Sequence, residues 1–522
     1  MSQKLVKCQL YDTTLRDGAQ GEGVSFSLDD KIKVAKALSG IGIDFIEAGY
    51  ASSTPEDQEI FSRLSGISLG STQIAAFGST RKKNVSVDND LGLRAILKTH
   101  AKTATLVGKA WTVHVEKILR TTLEENLNMI RDSVSFLREN DLDVLFDAEH
   151  FFDGYAENEP YALKVLECAK DAGASTLILC DTNGGFFPHQ VGKTTSDIVS
   201  RFGGRIGIHA HNDSECAVAN SISAVNAGAT HVQGTINGYG ERTGNANMIS
   251  VIVGLSKLGY PTIGEDNMTK LTDISRYINR IVSEKPNPRM PYVGESAFAH
   301  KGGQHIDAVL KLPKAYEHIP PGMVGNRRRV LASKQSGKAA IQNKAKQFDL
   351  NINEKQLESL TGLIKELERQ GYEFENAEGS LYLRMAEHIG VYSQLFSIIN
   401  YVATDNSDKY QSVSMEVQIG DDIVLTTAES RDGLVDAIRK ALDRALVGKF
   451  PDVSKIVLED FRVIDLDTEM GTAARVGVLI RSRCDSKIFG TFGVSLNMLR
   501  ASLEAIEDSK KYGLLVLSGK SP

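Results

Sequence analysis

The stretch YDTTLRDGAQ, residues 11–20, sets an arginine and an aspartate side by side. It begins like a buried strand and ends on Arg16, Asp17 and Gly18, so it delivers one fixed cation and one carboxylate into a turn. Downstream, HAHND at 209–213 places His209 and His211 two residues apart. At that spacing on a strand, side chains project from the same face, so both imidazoles can chelate one ion. Two imidazoles and the Asp17 carboxylate make a competent site for a divalent metal (Mn²⁺, Mg²⁺, Zn²⁺ or Co²⁺) with positions open to a substrate. Asn245, near the end of the glycine-rich NGYGERTGNAN (237–247), can add an oxygen to the ion or its water.

These residues serve one site only if the elements bring them together. Eight apolar strand-like runs recur near residues 6–12, 43–49, 72–78, 103–108, 143–149, 176–181, 205–211 and 231–238. They are nearly continuous in apolar residues, as strands covered on both faces by helices should be. Between them lie helical segments with readable starts. Thr54 caps one, with Pro55 at its first position. Thr122 and Glu125 have the spacing of a capping box. A third runs from Asp213 to a stop at Gly228. Eight strand–helix units over about 270 residues predict an α/β fold, a (β/α)₈ TIM barrel. An open doubly wound sheet is the alternative.

In a barrel the chemistry sits where the strands end. The ends here are polar: Arg16 and Asp17, Glu47, Asp147 and Glu149, Asp181 to Asn183, and His209 to Asp213. Among the other histidines, His150 follows Glu149 and reads as packing. His100, His114, His189, His231, His318 and His388 show no partner in the sequence. His305 lies with His300 and Asp307 among glycines, in AFAHKGGQHIDAVLK (297–311), which suggests close approach to something.

The texture changes after the eighth unit. Six of the twelve prolines fall between Pro286 and Pro321, and SEKPNPRMP reads as a linker leaving the barrel. A helix is expected over 353–371, and two strand–strand–helix units follow, an internal repeat in a small α+β region. The expected divisions are 1–275, 276–375 and 376–522. The chain of 522 residues has 41% hydrophobic and 24% charged residues and a net charge of -6, which gives no sign of nucleic-acid binding. NRRRV at 326–330 reads as a solvated loop. Five widely spaced cysteines with no CxxC argue against a disulfide framework and fit a reducing cytoplasm. No signal peptide or membrane span is expected.

On these residues a resemblance can be stated. DTTLRDGAQ, HAHND and NGYGERTGNAN, in this order on a barrel, resemble the DRE-TIM metallolyase superfamily. Within it the chain is similar to the acetyl-CoA-dependent synthases that form 2-isopropylmalate, homocitrate and citramalate. FDAEHFFDGY, LCDTNGG and GIHAHNDSECAVANS are closest to the citramalate branch. The C-terminal region resembles the LeuA dimerisation or allosteric domain, and the match covers nearly the whole chain. The resemblance implies a Claisen condensation of acetyl-CoA with pyruvate, feeding isoleucine synthesis; the alternative is the same chemistry on another 2-keto acid, as in 2-isopropylmalate formation. It implies that Arg16 stabilises the developing alkoxide and that His305, with Glu149, removes the acetyl-CoA methyl proton. Asp307 would orient that base, Thr182 would contact the substrate carboxylate, and Tyr316 would help position cofactor or base. It also implies a homodimer, with isoleucine or leucine feedback placed in question. The first C-terminal half reads TTAESRDGLVDAIRKAL, where a glycine-rich effector loop like GTFGVSLNMLRASLEAI of the second half is usual. A lyase of the same superfamily is disfavoured, because NGYGERTGNAN has no cysteine. A ligand-binding paralogue without activity would lack at least one of Arg16, Asp17, His209, His211 or His305.

Overall fold

The computed structural model describes residues 5–331, 338–406, 410–467, 474–485 and 487–519. The apolar runs form eight strands. They are β1 (Gln9–Asp12), β2 (Phe45–Tyr50), β3 (Gln73–Ser79), β4 (Thr103–Lys109), β5 (Asp143–Glu149), β6 (Thr176–Asp181), β7 (Arg205–Ala210) and β8 (His231–Gly234). Each pairs in parallel with the next, and β1 pairs with β8, so the sheet closes into a barrel. The expected TIM barrel is therefore the observed fold, and the open sheet is excluded.

One helix follows each strand. These are α1 (Leu28–Gly40), α2 (Pro55–Ser65), α3 (Leu91–Lys98), α4 (Leu123–Glu139), α5 (Phe151–Asp171), α6 (Pro188–Phe202), α7 (Ala217–Asn226) and α8 (Met248–Lys257). Two helix starts differ from the sequence reading. Thr122 does cap α4 by accepting from the Glu125 N–H at 3.1 Å, but the reciprocal bond is not made. The Glu125 carboxylate turns to Arg81 instead, at 2.8 Å, a charged partner that competes with the local cap. Helix α7 begins at Ala217 rather than Asp213, because Arg242 holds Asp213 and the Asn212 side chain accepts from Ala217 N–H (3.2 Å).

Two compact units divide the chain. The first runs from the N-terminus through Phe298 and adds Pro320–Arg327. It contains the barrel, α9 (Glu265–Met268) and α10 (Leu271–Ile281). Leu271, Ile274 and Ile278, three and four residues apart, give α10 its buried stripe.

The second unit comprises Ala299–Ile319 and the chain from Arg328 onward. It opens with a two-stranded pairing of β9 (Ala299–His300) and β10 (Arg329–Val330) around α11 (Gly303–Lys311). The basic run is not a free loop, since Arg328 grips Glu317 through two bonds of 2.6 Å. Helices α12 (Lys338–Gln347), α13 (Glu354–Arg369) and α14 (Glu378–His388) follow. Asn353 and Gln356 cap α13 reciprocally, so the helix starts where the sequence predicts. The repeat is real but richer than expected. One half is β11 (Ser397–Asn406), β12 (Tyr410–Ile419), β13 (Asp422–Ser430) and α15 (Leu434–Leu446). The other is β14 (Ile456–Asp465), β15 (Val476–Cys484), β16 (Lys487–Ser495) and α16 (Met498–Leu517). Each half has three antiparallel strands, not two. Burial alternates only weakly along β11, where Ile399 and Val402 are exposed, so the strand carries no clean inward–outward pattern.

Candidate active site at the C-terminal ends of the barrel strands

The site begins with the turn after β1. Thr13 accepts from the backbone N–H of Gly18 (3.0 Å), and its hydroxyl accepts from Asp17 N–H (3.2 Å). This turn holds Arg16 and Asp17 at fixed positions above the strand. Glu47 of β2 is fully buried and accepts from Tyr11 Oη (2.6 Å), Thr13 Oγ1 and Arg16 Nε (2.5 Å). The Arg16 guanidinium lies 3.9 Å from the centre of the Phe77 ring and 3.6 Å from Asp17. Burial opposes its charge, yet Glu47 and Asp17 outweigh burial and raise its pKa, so it is a cation at any working pH.

Asp17, His209 and His211 converge. Their facing atoms are His209 Nε2, His211 Nε2 and Asp17 Oδ2, with separations of 3.3, 3.4 and 3.8 Å. Ligands held about 2.1 Å from one ion lie about 3.0–3.4 Å apart, so the cluster is close to the spacing a metal requires. All three residues are buried. Burial disfavours the Asp17 anion, but Arg16 and the two histidines overcome that and lower its pKa far below the usual carboxylate range. At His209 burial works against the charged ring, and the Asp17 carboxylate reverses the sign, raising the pKa. At His211 burial and the neighbouring His209 lower the pKa to about 4, so a neutral, ligating ring is the ordinary state there.

Asn245 pairs with His211 through a backbone bridge. Its Nδ2 donates to the Tyr239 carbonyl (3.1 Å), while its buried Oδ1 has no hydrogen-bond partner. An orphaned oxygen beside two imidazoles and a carboxylate fits a divalent cation. The loop that carries it needs its glycines. Gly244 has φ +92°, and a Cβ there would fall 1.8 Å from the Gly238 carbonyl oxygen. Arg242 pins the same loop, with two bonds of 2.8 Å to Asp213 and one of 2.8 Å to the Thr182 carbonyl.

The remaining expected residues are distributed as follows. Glu149 ends β5 and pairs with Lys109. The Thr182 hydroxyl accepts from His150 N–H at 2.9 Å. His150 does not continue β5. It has φ 58° and starts α5, with its ring 4.0 Å from that of His114 and its Nδ1 3.2 Å from Asp153. His114 thus has a partner after all, as does His388, which meets the Ser359 hydroxyl at 2.7 Å. His305 and Asp307 lie on α11, in the second unit. The ring of Tyr316 stacks on His305 at 4.1 Å. Asp307 is taken by Lys311 at 2.7 Å, because side chains two apart on a helix do not face each other. Sequence reasoning gave Glu47 no role and missed Gln233 and Arg242. A carboxylate inside an apolar strand was the available signal for Glu47; nothing comparable marked the other two.

Three families match this chain in succession: HMGL-like over residues 7–278, homocitrate synthase post-HMGL domain-like over 292–372, and LeuA allosteric (dimerisation) domain over 375–514. The chain is 45% identical to an (R)-citramalate synthase of Aquifex aeolicus, over 98% of each chain. It is 43% identical to an (R)-citramalate synthase of Geobacter sulfurreducens, over 97% of each. A 2-isopropylmalate synthase of Methanocaldococcus jannaschii is 30% identical, over 96% of this chain and 93% of the relative.

Proposed function

This chain belongs to the HMGL-like family, and we propose that it is an acyltransferase joining acetyl-CoA and pyruvate to give (R)-citramalate and CoA. One observation carries the chemistry: a guanidinium fixed by a buried carboxylate stands beside a buried Asp–His–His cluster. Asp17, His209, His211 and Asn245 would hold the divalent ion. When bound, that ion supplies Lewis-acid polarisation of the keto acid carbonyl, worth several kcal/mol.

The chain's own groups do the rest. Arg16 meets the negative charge that appears on the keto oxygen as the new carbon–carbon bond forms, and Glu47 and Phe77 keep its fork from turning away. His305 accepts the methyl proton of acetyl-CoA, with Glu149 at the end of β5 taking part in the proton's path. The resulting carbanion attacks the keto carbon, and water then cleaves the thioester to release CoA. Thr182 contacts the substrate carboxylate. Tyr316, stacked on His305, holds the base's ring plane. Asp307 is proposed as a substrate contact rather than as the orienter of His305. The LeuA-type region supports a homodimer, and an amino-acid effector there would be isoleucine or leucine. A cytoplasmic location is supported by five free cysteines and by the absence, among the described residues, of any helix long and apolar enough to cross a membrane.

The second reading, a 2-isopropylmalate synthase, rests on the more distant relative and differs by two methyl groups in the pocket. Each such group is worth about 1–3 kcal/mol in a pocket. The test is release of CoA by purified protein with Mn²⁺ or Mg²⁺ across a panel of 2-keto acids. Pyruvate should have a kcat/KM at least about 10-fold above that of 2-oxoisovalerate. The reverse order would replace the first reading with the second.

A further inference from the structure

The barrel interior holds one fully buried glutamine that the reaction above does not use. Gln233 belongs to β8 and is inaccessible to solvent. Its Nε2 donates to Asp147 Oδ1 at 2.9 Å, and its Oε1 lies 2.8 Å from His209 Nδ1. Asp147 comes from β5, so the contact crosses the barrel interior.

We infer that Gln233 is a positioning residue for the metal ligand His209, with Asp147 fixing which end of the amide faces the ring. A carboxylate accepts, so Asp147 draws the amide nitrogen of Gln233 toward itself. That leaves the amide oxygen facing His209, and an oxygen there can only accept. His209 Nδ1 must then carry the hydrogen, which leaves the lone pair of the neutral ring on Nε2. Nε2 is the atom that faces His211 and Asp17. Turned the other way, the amide would present N–H groups to Nδ1. The ring would then take the opposite tautomer and lose its ligating lone pair from the cluster. A partner on the far nitrogen of a ligating histidine typically changes metal affinity by about 10–100-fold. His211 is different: its Nδ1 is buried without a hydrogen-bond partner. His209 is thus the ring whose tautomer is set in advance.

This inference rests on the metal reading of the Asp–His–His cluster, and the experiment separates the two. Mn²⁺ binding is followed by calorimetry on the full-length, chelator-treated protein without substrates. Wild type should bind Mn²⁺, and His209→Ala should not; failure of wild type to bind would overturn the metal reading and this inference with it. Given binding by wild type, Gln233→Leu should weaken Mn²⁺ by about 10–100-fold. Gln233→Glu, combined with Asp147→Asn so that an amide donor again faces the new carboxylate, keeps an acceptor for the Nδ1 hydrogen and should stay within about threefold of wild type, a rescue that a purely space-filling role does not explain. Asp147→Leu should weaken binding alone but add nothing on top of Gln233→Leu, since it acts through that residue. Should Gln233→Leu fail to fold, Gln233→Met carries the same comparison. Equal Mn²⁺ affinity in Gln233→Leu or Gln233→Met and wild type, or equal weakening in the leucine (or methionine) and glutamate variants, would refute the inference.

Discussion

Arg16 is constrained on three sides, by the Glu47 carboxylate, the Phe77 ring and Asp17. A planar fork satisfies all three contacts; a lysine ammonium would keep the charge but neither the stacking nor the directed bond to Glu47. Arg16→Lys should therefore lower kcat by about 10²–10³-fold, while KM for pyruvate changes little, as expected for a contact made with charge that develops during reaction. Steady-state kinetics decide it: a rise in KM alone would remove Arg16 from alkoxide stabilisation. Single residues of this site differ in how readable they were. Asp17, His209 and His211 were legible because strand spacing and strand-end position are properties of the sequence itself. Gln233 was not, because its meaning depends on Asp147, 86 residues away, and only closure of the ring brings the two together. Asp307 meets Lys311 rather than His305, since a helix turns residues two apart onto different faces.

Elements were legible where a buried face imposed a pattern. The barrel strands carry apolar runs along most of their length, and their limits fall within a few residues of the expected ones. Where side chains compete for a partner, local rules lost. Glu125 left its cap for Arg81, and Asp213 left the start of α7 for Arg242. Helix α15 shows the same competition resolved in favour of the helix. Asp436, in its first turn, accepts from Ser430 (2.6 Å) and Arg439 (2.7 Å) and pairs with Lys440 (2.7 Å). Burial works against its charge, but the bonds from Lys440, Ser430 and Arg439 prevail and lower its pKa to about 2. A carboxyl group whose folded pKa is depressed adds stability above its unfolded pKa, near 4, and loses it as pH falls toward 2. Asp436→Asn should cost about 2 kcal/mol at pH 7, and its gap from wild type should close between about pH 4 and pH 2. Urea unfolding followed by circular dichroism measures this. A gap that stays constant down to pH 2 would show that the charge of Asp436 is not what stabilises the helix.

At the scale of the molecule, the chain passes from the first unit to the second, returns for Pro320–Arg327, and leaves again. The returning segment is fastened within the first unit. Thr272 donates to the Val324 carbonyl (2.7 Å), and Asn326 donates to the Tyr292 and Gly294 carbonyls, each at 2.9 Å. Nothing in the proline-rich sequence signalled that return, because a proline cluster marks where helices stop and not where the chain next packs. His305 lies on the excursion between the two passages. If it serves the barrel of a second copy, co-expressed Arg16→Ala and His305→Ala chains should recover about a quarter of wild-type activity, from the one intact site in each mixed dimer. Absence of recovery in isolated mixed dimers would mean that each barrel uses its own His305. The closed ring has one more consequence. Asp17 stands just after the first strand, His209 and His211 at the seventh, and Asn245 just beyond the eighth, and the seam between first and last strand is the β1–β8 pairing. During synthesis on the ribosome, then, no nascent chain that stops short of Asn245 can carry all four side chains, and they meet only once the eighth strand has left the exit tunnel and zipped the ring shut.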